Sequence, residues 1–339
     1  MSVFTQDGTE NRMRWDRSRN SFIEVWYATV NHSQTGGGLW LRYTLTIPKN
    51  GDAYCELWGF FFDPAGGSSF AGKQRFSIDR LGAPNGRDDG ALVRIGDAWL
   101  SETHLEGGIS SKDRRMEWSL DIEPAARCFQ HIPAPLRRRV EQRVSTLCSP
   151  NLAVPFNGTV KLDDLVLEFD GAMGQQSHRW GRRHAASWAW AHCGDFQSEA
   201  AAVFEGVAAR SNLGPFPIPT TTLLYLSYEG EDLCFNELSS ALRARGRYEM
   251  PTWAFTASNE TWRIVGAARG LPRRMMQVTY TDPDGSNRYC ANSEIADLDI
   301  EVFRRTDRGW RHIDSLVAMR NAHLEFGRKE PFVEIPVSF

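Results

Sequence analysis

The feature that most constrains this chain is strict two-residue alternation, repeated from one end to the other. It is densest between His178 and Phe196, HRWGRRHAASWAWAHCGDF. From Ser187 onward Trp188, Trp190 and His192 fall on one side, and Ala189, Ala191 and Cys193 on the other. A strand sends successive side chains to opposite faces with a rise of about 3.3 Å per residue. The spacing therefore predicts two indoles and an imidazole lined along one face over roughly 13 Å, while the other face is small enough for another layer to pack closely. Such a ladder is either heavy core or the wall of an apolar binding cavity. Buried indole N–H groups need acceptors, and indole faces attract cations by about 2 kcal/mol or more when desolvated. A cavity holding a polar or cationic species uses both properties.

The same period runs through the rest of the chain. Residues 21–31 are rich in aromatic and β-branched side chains and end in a turn near 34–38. Residues 39–47 return with Leu39, Leu41, Tyr43, Leu45 and Ile47 on one face and Trp40, Arg42, Thr44 and Thr46 on the other. A turn at 48–51 leads to 53–63, where Tyr54, Glu56, Trp58, Phe60 and Phe62 share a face. Turns every eight to twelve residues are the signature of an all-β sandwich or barrel. Further strands are expected at 74–79, 91–95, 98–106, 115–122 and 158–169. After the Trp-rich stretch come 198–209, 220–229, 260–269 and 273–281. The Asp282-Pro283-Asp284-Gly285 turn then leads to 288–292, 297–304, 310–315, 322–326 and 332–337. One helix is expected from Pro135 onward, because Leu136, Val140, Val144 and Leu147 recur at helical spacing, and Arg137, Arg138 and Arg139 read as its solvated face. A proline-rich turn at Pro215, Pro217 and Pro219 and a short helix over 236–245 complete the pattern. At 339 residues the chain is long enough for two domains, placed at 1–172 and 173–339.

Composition narrows the function. A net charge of -3 supplies no electrostatic attraction for nucleic acid or an anionic membrane surface. The N-terminus MSVFTQDGTENRMRW has no apolar signal region, and no run approaches the length of a membrane span, so no stable membrane insertion is expected. The six cysteines are scattered singly and read as free thiols of a reducing, cytoplasmic compartment. Gly36-Gly37-Gly38 lies between two strands, so it is a hairpin turn and no nucleotide loop. His178, His184 and His192 match no zinc-ligand spacing. Cys193 faces away from His192, which removes a thiolate–base pair. No metal and no cofactor are expected. Arg42 beside Trp40, and Glu56 beside Trp58, would form an ion pair among indoles inside a barrel, as a structural bridge or a working one.

These stretches also resemble a known group. EVWY (residues 24–27), LWLRYT (39–44), LWGFFFD (57–63), HRWG (178–181) and SWAWAHCGDF (187–196) are similar to lipocalin-like proteins. That group contains carotenoid 1,2-hydratases, tocopherol cyclases and AttH-type proteins. RYCANSEIADLDIEVF (288–303) and HLEFG (323–327) fit its second half. The resemblance implies two tandem lipocalin-like antiparallel β-barrels with short helices, and a ligand cavity at or between them. It implies a cofactor-independent hydratase or cyclase acting on a hydrophobic isoprenoid or polyene of terpenoid or carotenoid type. Such enzymes protonate an alkene and let water or a phenol capture the carbocation. On that reading Trp40, Trp58, Trp180, Trp188 and Trp190 line the cavity, and Arg42, Tyr43 and Glu56 meet a polar end of the substrate. His192, His178 and Asp195 compete as proton donor.

One departure stands out: where hydratases of the group carry an acid beside the histidine, this chain has Ser177. Desolvation would keep Asp195 protonated, but alternation turns it from His192 unless Gly194 supports a bulge. Two other readings follow from the same residues: a non-catalytic carrier of an apolar ligand, and a pericyclase that shapes a polyene.

Overall fold

A computed structural model describes residues 3–5, 8–82, 90–132, 134–197, 201–213, 216–217 and 219–339. The described residues form two large antiparallel sheets built on one plan, with a two-stranded ribbon of Asn212–Leu213 and Phe216–Pro217 beside them. In the first, Phe22–His32, Gly37–Ile47, Tyr54–Phe62 and Phe70–Ser77 lie side by side. The other edge of Phe22–His32 pairs with Leu165–Gly181, and the sheet continues through Ser145–Leu162, Arg114–Ile122, His104–Ser111, Ala98–Ser101 and Ala91–Ile95 to Leu81–Gly82. The early strand thus meets the late one, and the two free edges are joined through the single turn Ile78–Arg80. The second sheet repeats this. Ser187–Cys193 leads through Val203–Arg210 and Thr221–Tyr228 to Glu231–Cys234. On its other side it pairs with Gly309–Arg328, followed by Asn287–Thr306, Trp262–Arg269, Thr252–Ser258 and Arg245–Glu249. Each unit is a nearly closed barrel, the expected all-β lipocalin-like architecture.

Both barrels are filled with side chains. Trp26, Leu41, Tyr43, Leu45, Trp118 and Phe156 belong to the first core, and Ala189, Ala191, Phe204, Trp253 and Phe326 to the second. Full burial of one large apolar side chain contributes roughly 1.5–3 kcal/mol, so these interiors hold the units together. A third apolar cluster, containing Trp40, Trp58, Phe60, Phe62, Trp188, Trp190 and Tyr280, lies between the barrels. That is why every residue of Gly37–Ile47 is buried: one face fills a barrel and the other meets its neighbour. The approach is close at Gly38, where an added Cβ would fall 2.4 Å from Glu294 Cβ.

Several sequence expectations shift. Residues 158–169 are no single strand: Asp163 turns the chain with a φ of 55°, and the long strands Ser145–Leu162 and Leu165–Gly181 pair around it. The helix is only Ala134–Glu141; beyond it Val144 lies in a bend and Leu147 in a strand. The expected division at residue 172 falls inside Leu165–Gly181, and the chain changes sheets between Gly181 and Ser187. Stretches 288–292 and 297–304 are one bulged strand, and 310–315 and 322–326 another. Residues 332–337 form no regular strand. The expectations at Ser198 and Pro215 lie outside the described residues. No helix among the described residues is long and apolar enough to cross a membrane.

Candidate functional site between the barrels

Alternation decides which side chains reach the space between the barrels. On Ser187–Cys193, Ala189, Ala191 and Cys193 enter the second core, so Trp188, Trp190 and His192 face outward toward the first barrel. On Gly37–Ile47 the odd residues fill the first core, and Trp40 and Arg42 face the second barrel. Between these faces lies a cavity of about 490 Å³. Its walls include Val25, Tyr27, Trp40 and Arg42 from one barrel and Trp188, Trp190, Val207, Tyr280 and Glu325 from the other. The Ala134–Glu141 helix, with no buried residue, borders it through Leu136, Arg139 and Val140. The size and apolar lining suit a small-molecule site.

Each indole of the ladder has an acidic partner on a neighbouring strand. Trp188 Nε1–H donates to Glu325 Oε1 at 2.8 Å, and Trp190 Nε1–H donates to Glu205 Oε1 at 2.6 Å. Glu205 sits directly across from His192, and Glu325 across from Trp190. The same Glu205 Oε1 lies 2.6 Å from His131 Nε2, with both side chains buried. His131 Nδ1 lies 3.2 Å from the Leu147 carbonyl. A carbonyl only accepts, so Nδ1 carries a proton. The short Nε2–Oε1 contact needs one more, held by either partner. Of the two only His131 lines the cavity, and Glu205 Oε2 has no hydrogen-bond partner of its own.

A second polar group occupies another wall. Arg179 donates from one guanidinium nitrogen to His184 Nε2 at 3.0 Å and from the other to Ser145 Oγ at 2.8 Å. His184 Nδ1–H donates to Asp282 Oδ1 at 2.7 Å. Burial, reinforced by the Arg179 cation, pushes His184 down to about 4, so it is a neutral acceptor. Burial draws Arg179 down to about 10, which leaves it a cation at neutral pH. Arg42 points its guanidinium over Tyr280 at 4.3 Å and Trp58 at 4.8 Å. Its Nε donates to Thr44 Oγ1 at 2.9 Å.

Of the residues expected from the sequence, Trp40, Arg42, Trp188 and Trp190 line the cavity, and the others do not. Glu56 is held by Arg75 and Lys73, at 2.8 and 3.4 Å, instead of Arg42, because Arg42 lies across from Trp58 and Glu56 across from Thr44. Tyr43 is on the opposite strand face from Arg42 and donates inside the first barrel to the Glu106 carbonyl at 2.8 Å. Trp58 packs between the barrels beside Tyr280 and Phe339, and Trp180 belongs to the first core.

The three expected proton donors also lie elsewhere. His178 is enclosed in the first barrel, stacked on Trp26 at 4.7 Å and bonded to Glu24 Oε1 at 2.9 Å. The carboxylate missing from position 177 thus comes from across the sheet. His192 Nε2–H donates to the Leu152 carbonyl at 2.8 Å and pins the barrels together; burial lowers its pKa, so it stays neutral. Asp195 is exposed and accepts from Asn321 Nδ2 at 3.0 Å, with no bulge to bring it inward. Sequence reasoning missed His131, Glu205, Arg179, His184 and Tyr280. Only Glu205 carried a signal, as an acid on the outward period of a strand whose other face is Phe204 and Ala208. Among the described residues no group of three or more His, Cys, Asp or Glu side chains could hold a metal ion.

Residues 151–328 match the family described as tocopherol cyclase-like. The uncharacterized protein Rv0493c of Mycobacterium tuberculosis strain H37Rv is 24% identical over 302 residues, covering 86% of this chain and 84% of the relative. The counterpart MT0513 of strain CDC 1551 gives the same figures. Among solved structures, a protein assigned as AttH from Nitrosomonas europaea superposes with a TM-score of 0.51 at 13% identity, over 95% of this chain and 98% of that one. This likeness concerns the fold. CghA with Sch210972 gives a TM-score of 0.49 at 10% identity, over 91% of this chain and 88% of that one.

Proposed function

The chain belongs to the tocopherol cyclase-like family, and from that premise we propose that it is a cyclase- or hydratase-type catalyst acting on a hydrophobic isoprenoid or polyene held between its barrels. The observation that carries this reading is the buried His131–Glu205 pair, which holds a proton at 2.6 Å contact beside an apolar, indole-walled cavity. The pair delivers that proton to an alkene carbon, the π electrons forming the new C–H bond. The cation left on the neighbouring carbon lies against the rings of Trp40, Trp188 and Trp190, whose faces favour positive charge. Water or a hydroxyl of the substrate captures the cation, and the proton it releases returns to the pair. A positioned acid of this kind contributes about 10²–10⁴-fold to rate. The role first expected of His192, His178 or Asp195 passes to His131 and Glu205.

The test is turnover of linear polyprenols and polyprenyl quinols in D₂O, followed by mass spectrometry. Hydration adds the elements of one water and cyclisation keeps the substrate's composition; both place one deuterium on carbon. Glu205→Gln should abolish that deuterium. A cyclised product without deuterium in the wild-type chain points to pericyclic shaping, and tight binding without product to a carrier; either result overturns the acid mechanism.

A further inference from the structure

Two cations border the cavity, Arg42 buried and Arg179 partly buried, and the protein gives neither a direct counter-ion. Arg42 is only 4% exposed; its Nε serves Thr44, and aromatic rings surround the rest of its guanidinium. Arg179 donates to two neutral acceptors, His184 and Ser145. Among the described residues no carboxylate comes within the 4.0 Å ion-pair distance of either group. The nearby acids are otherwise engaged. Asp282 reaches Arg179 only through His184, Glu325 accepts the Trp188 N–H, and Glu56 is taken by Lys73 and Arg75. Arg42 and Arg179 are close enough to repel one another.

A guanidinium has five N–H donors in a planar fork that fits a carboxylate bidentately. Removing such a cation from water without an anion is unfavourable. Yet both border a cavity walled largely by indoles, phenols and aliphatic groups, whose other charged or titratable members are Arg139, Arg143, Glu325, His131 and His184. Both side chains line that space.

We infer that the occupant is an amphipathic acid: an apolar polyene tail along Trp40, Trp188 and Trp190, with a carboxylate head held between Arg42 and Arg179. The head fixes which end of the tail reaches the His131–Glu205 wall, so these arginines are specificity-determining residues. This rests on the inter-barrel cavity being the binding site proposed above, and it names the class of molecule that site takes.

The probe is parinaric acid, a linear conjugated polyene carboxylate whose emission rises in apolar surroundings, compared with its methyl ester. The wild-type chain should bind the acid on the order of tenfold to a hundredfold tighter than the ester, the range for hydrogen bonds to a charged group. Arg42→Met or Arg179→Met should bring the two ligands to within about twofold, through loss of acid affinity, in a chain whose near-ultraviolet circular dichroism matches the wild type. If a methionine variant does not fold by circular dichroism, Arg42→Gln and Arg179→Gln replace it. Equal affinities in the wild-type chain, no binding of either ligand, or an acid preference that survives the double substitution would overturn the inference. Acid-selective binding without turnover in D₂O leaves the inference standing and removes the catalytic reading. Turnover of neutral polyenes without any head-group preference does the reverse.

Discussion

Glu205→Gln separates the structural from the chemical role of the cavity wall, and its cost can be worked from the geometry. Glu205 Oε1 serves two partners at 2.6 Å each, the Trp190 indole N–H and His131 Nε2. A glutamine can serve only one. With its carbonyl toward Trp190 it accepts the indole but faces the His131 Nε2 lone pair, since Nδ1 keeps its proton for Leu147. With its amide in that place it donates to His131 and opposes the indole N–H. One buried polar group therefore loses its partner, which costs about 1–3 kcal/mol. Glu205→Leu leaves both unpaired and should cost roughly twice as much, about 2–6 kcal/mol. Urea unfolding at neutral pH, read by tryptophan fluorescence, orders the three chains. Both variants should lose deuterium transfer from D₂O by about 10²–10⁴-fold. A Glu205→Gln chain as stable as the wild type would refute the shared-acceptor geometry. One that still deuterates product would refute the proton store.

Other perturbations follow from the same coordinates. Burial alone would lower the pKa of His178, but its contacts with Cys148 and Glu24 outweigh that and lift it to about 9. The folded value is above the unfolded one near 6.5, so this contribution is complete below about pH 6.5 and is lost as pH rises through about 9. Glu24→Gln should flatten that alkaline decline, roughly 1–3 kcal/mol across the interval, in urea midpoints measured against pH. His184 behaves oppositely: its folded pKa of about 4 lies below the unfolded value, so stability falls on acidification from about pH 6.5 toward 4, and His184→Gln should shallow that limb. An unchanged acid limb would refute its neutral, Arg179-accepting state. Gly327 lies across from Trp188, and a Cβ there would meet the indole at 2.1 Å. Gly327→Ala should push the ring from its place, cost about 1–3 kcal/mol and weaken binding of parinaric methyl ester; unchanged affinity would show that Trp188 does not shape the cavity.

The barrel architecture was legible because alternation is a local property. Residues 39–47 and 187–193 carry their strand state, their faces and even the small-residue inner face in their own spelling. Longer strands were harder to read. Asn287–Thr306 and Gly309–Arg328 contain bulges and a positive-φ Arg320, each of which interrupts the period and mimics a turn. The stretch from Val144 to Leu147 was read as helix because apolar spacing of three and four also fits a half-buried, bulged strand. The Asp163–Asp164 turn was hidden because its acidic pair sits inside an otherwise clean alternation.

The site was legible only by halves, and the reason is topological. Alternation says that Trp40 and Arg42 share a face, and that Trp188 and Trp190 do. It does not say whether a face points into its own barrel or toward a second one. Here the inward faces carry the two side-chain cores, and the outward faces enclose the cavity described above. That arrangement explains why Tyr43 was misplaced while Arg42, on the other face of the same strand, was not, and why Trp180 was expected in the cavity in place of Arg179. It also explains why the proton store escaped notice. His131 comes from a short segment after Cys128–Gln130 of the first barrel, and Glu205 from the second strand of the other. Within its own barrel each has an ordinary partner, the Leu147 carbonyl for His131 and the Trp190 N–H for Glu205, and neither contact points to the other residue. Joining them requires the barrels to dock, and docking is fixed by contacts such as His192 to Leu152 and Thr29 to His323, 2.8 and 2.7 Å apart. His192, first among the expected proton donors, spends its Nε2–H on the Leu152 carbonyl of the first barrel. It holds the two barrels in the register that lets His131 meet Glu205.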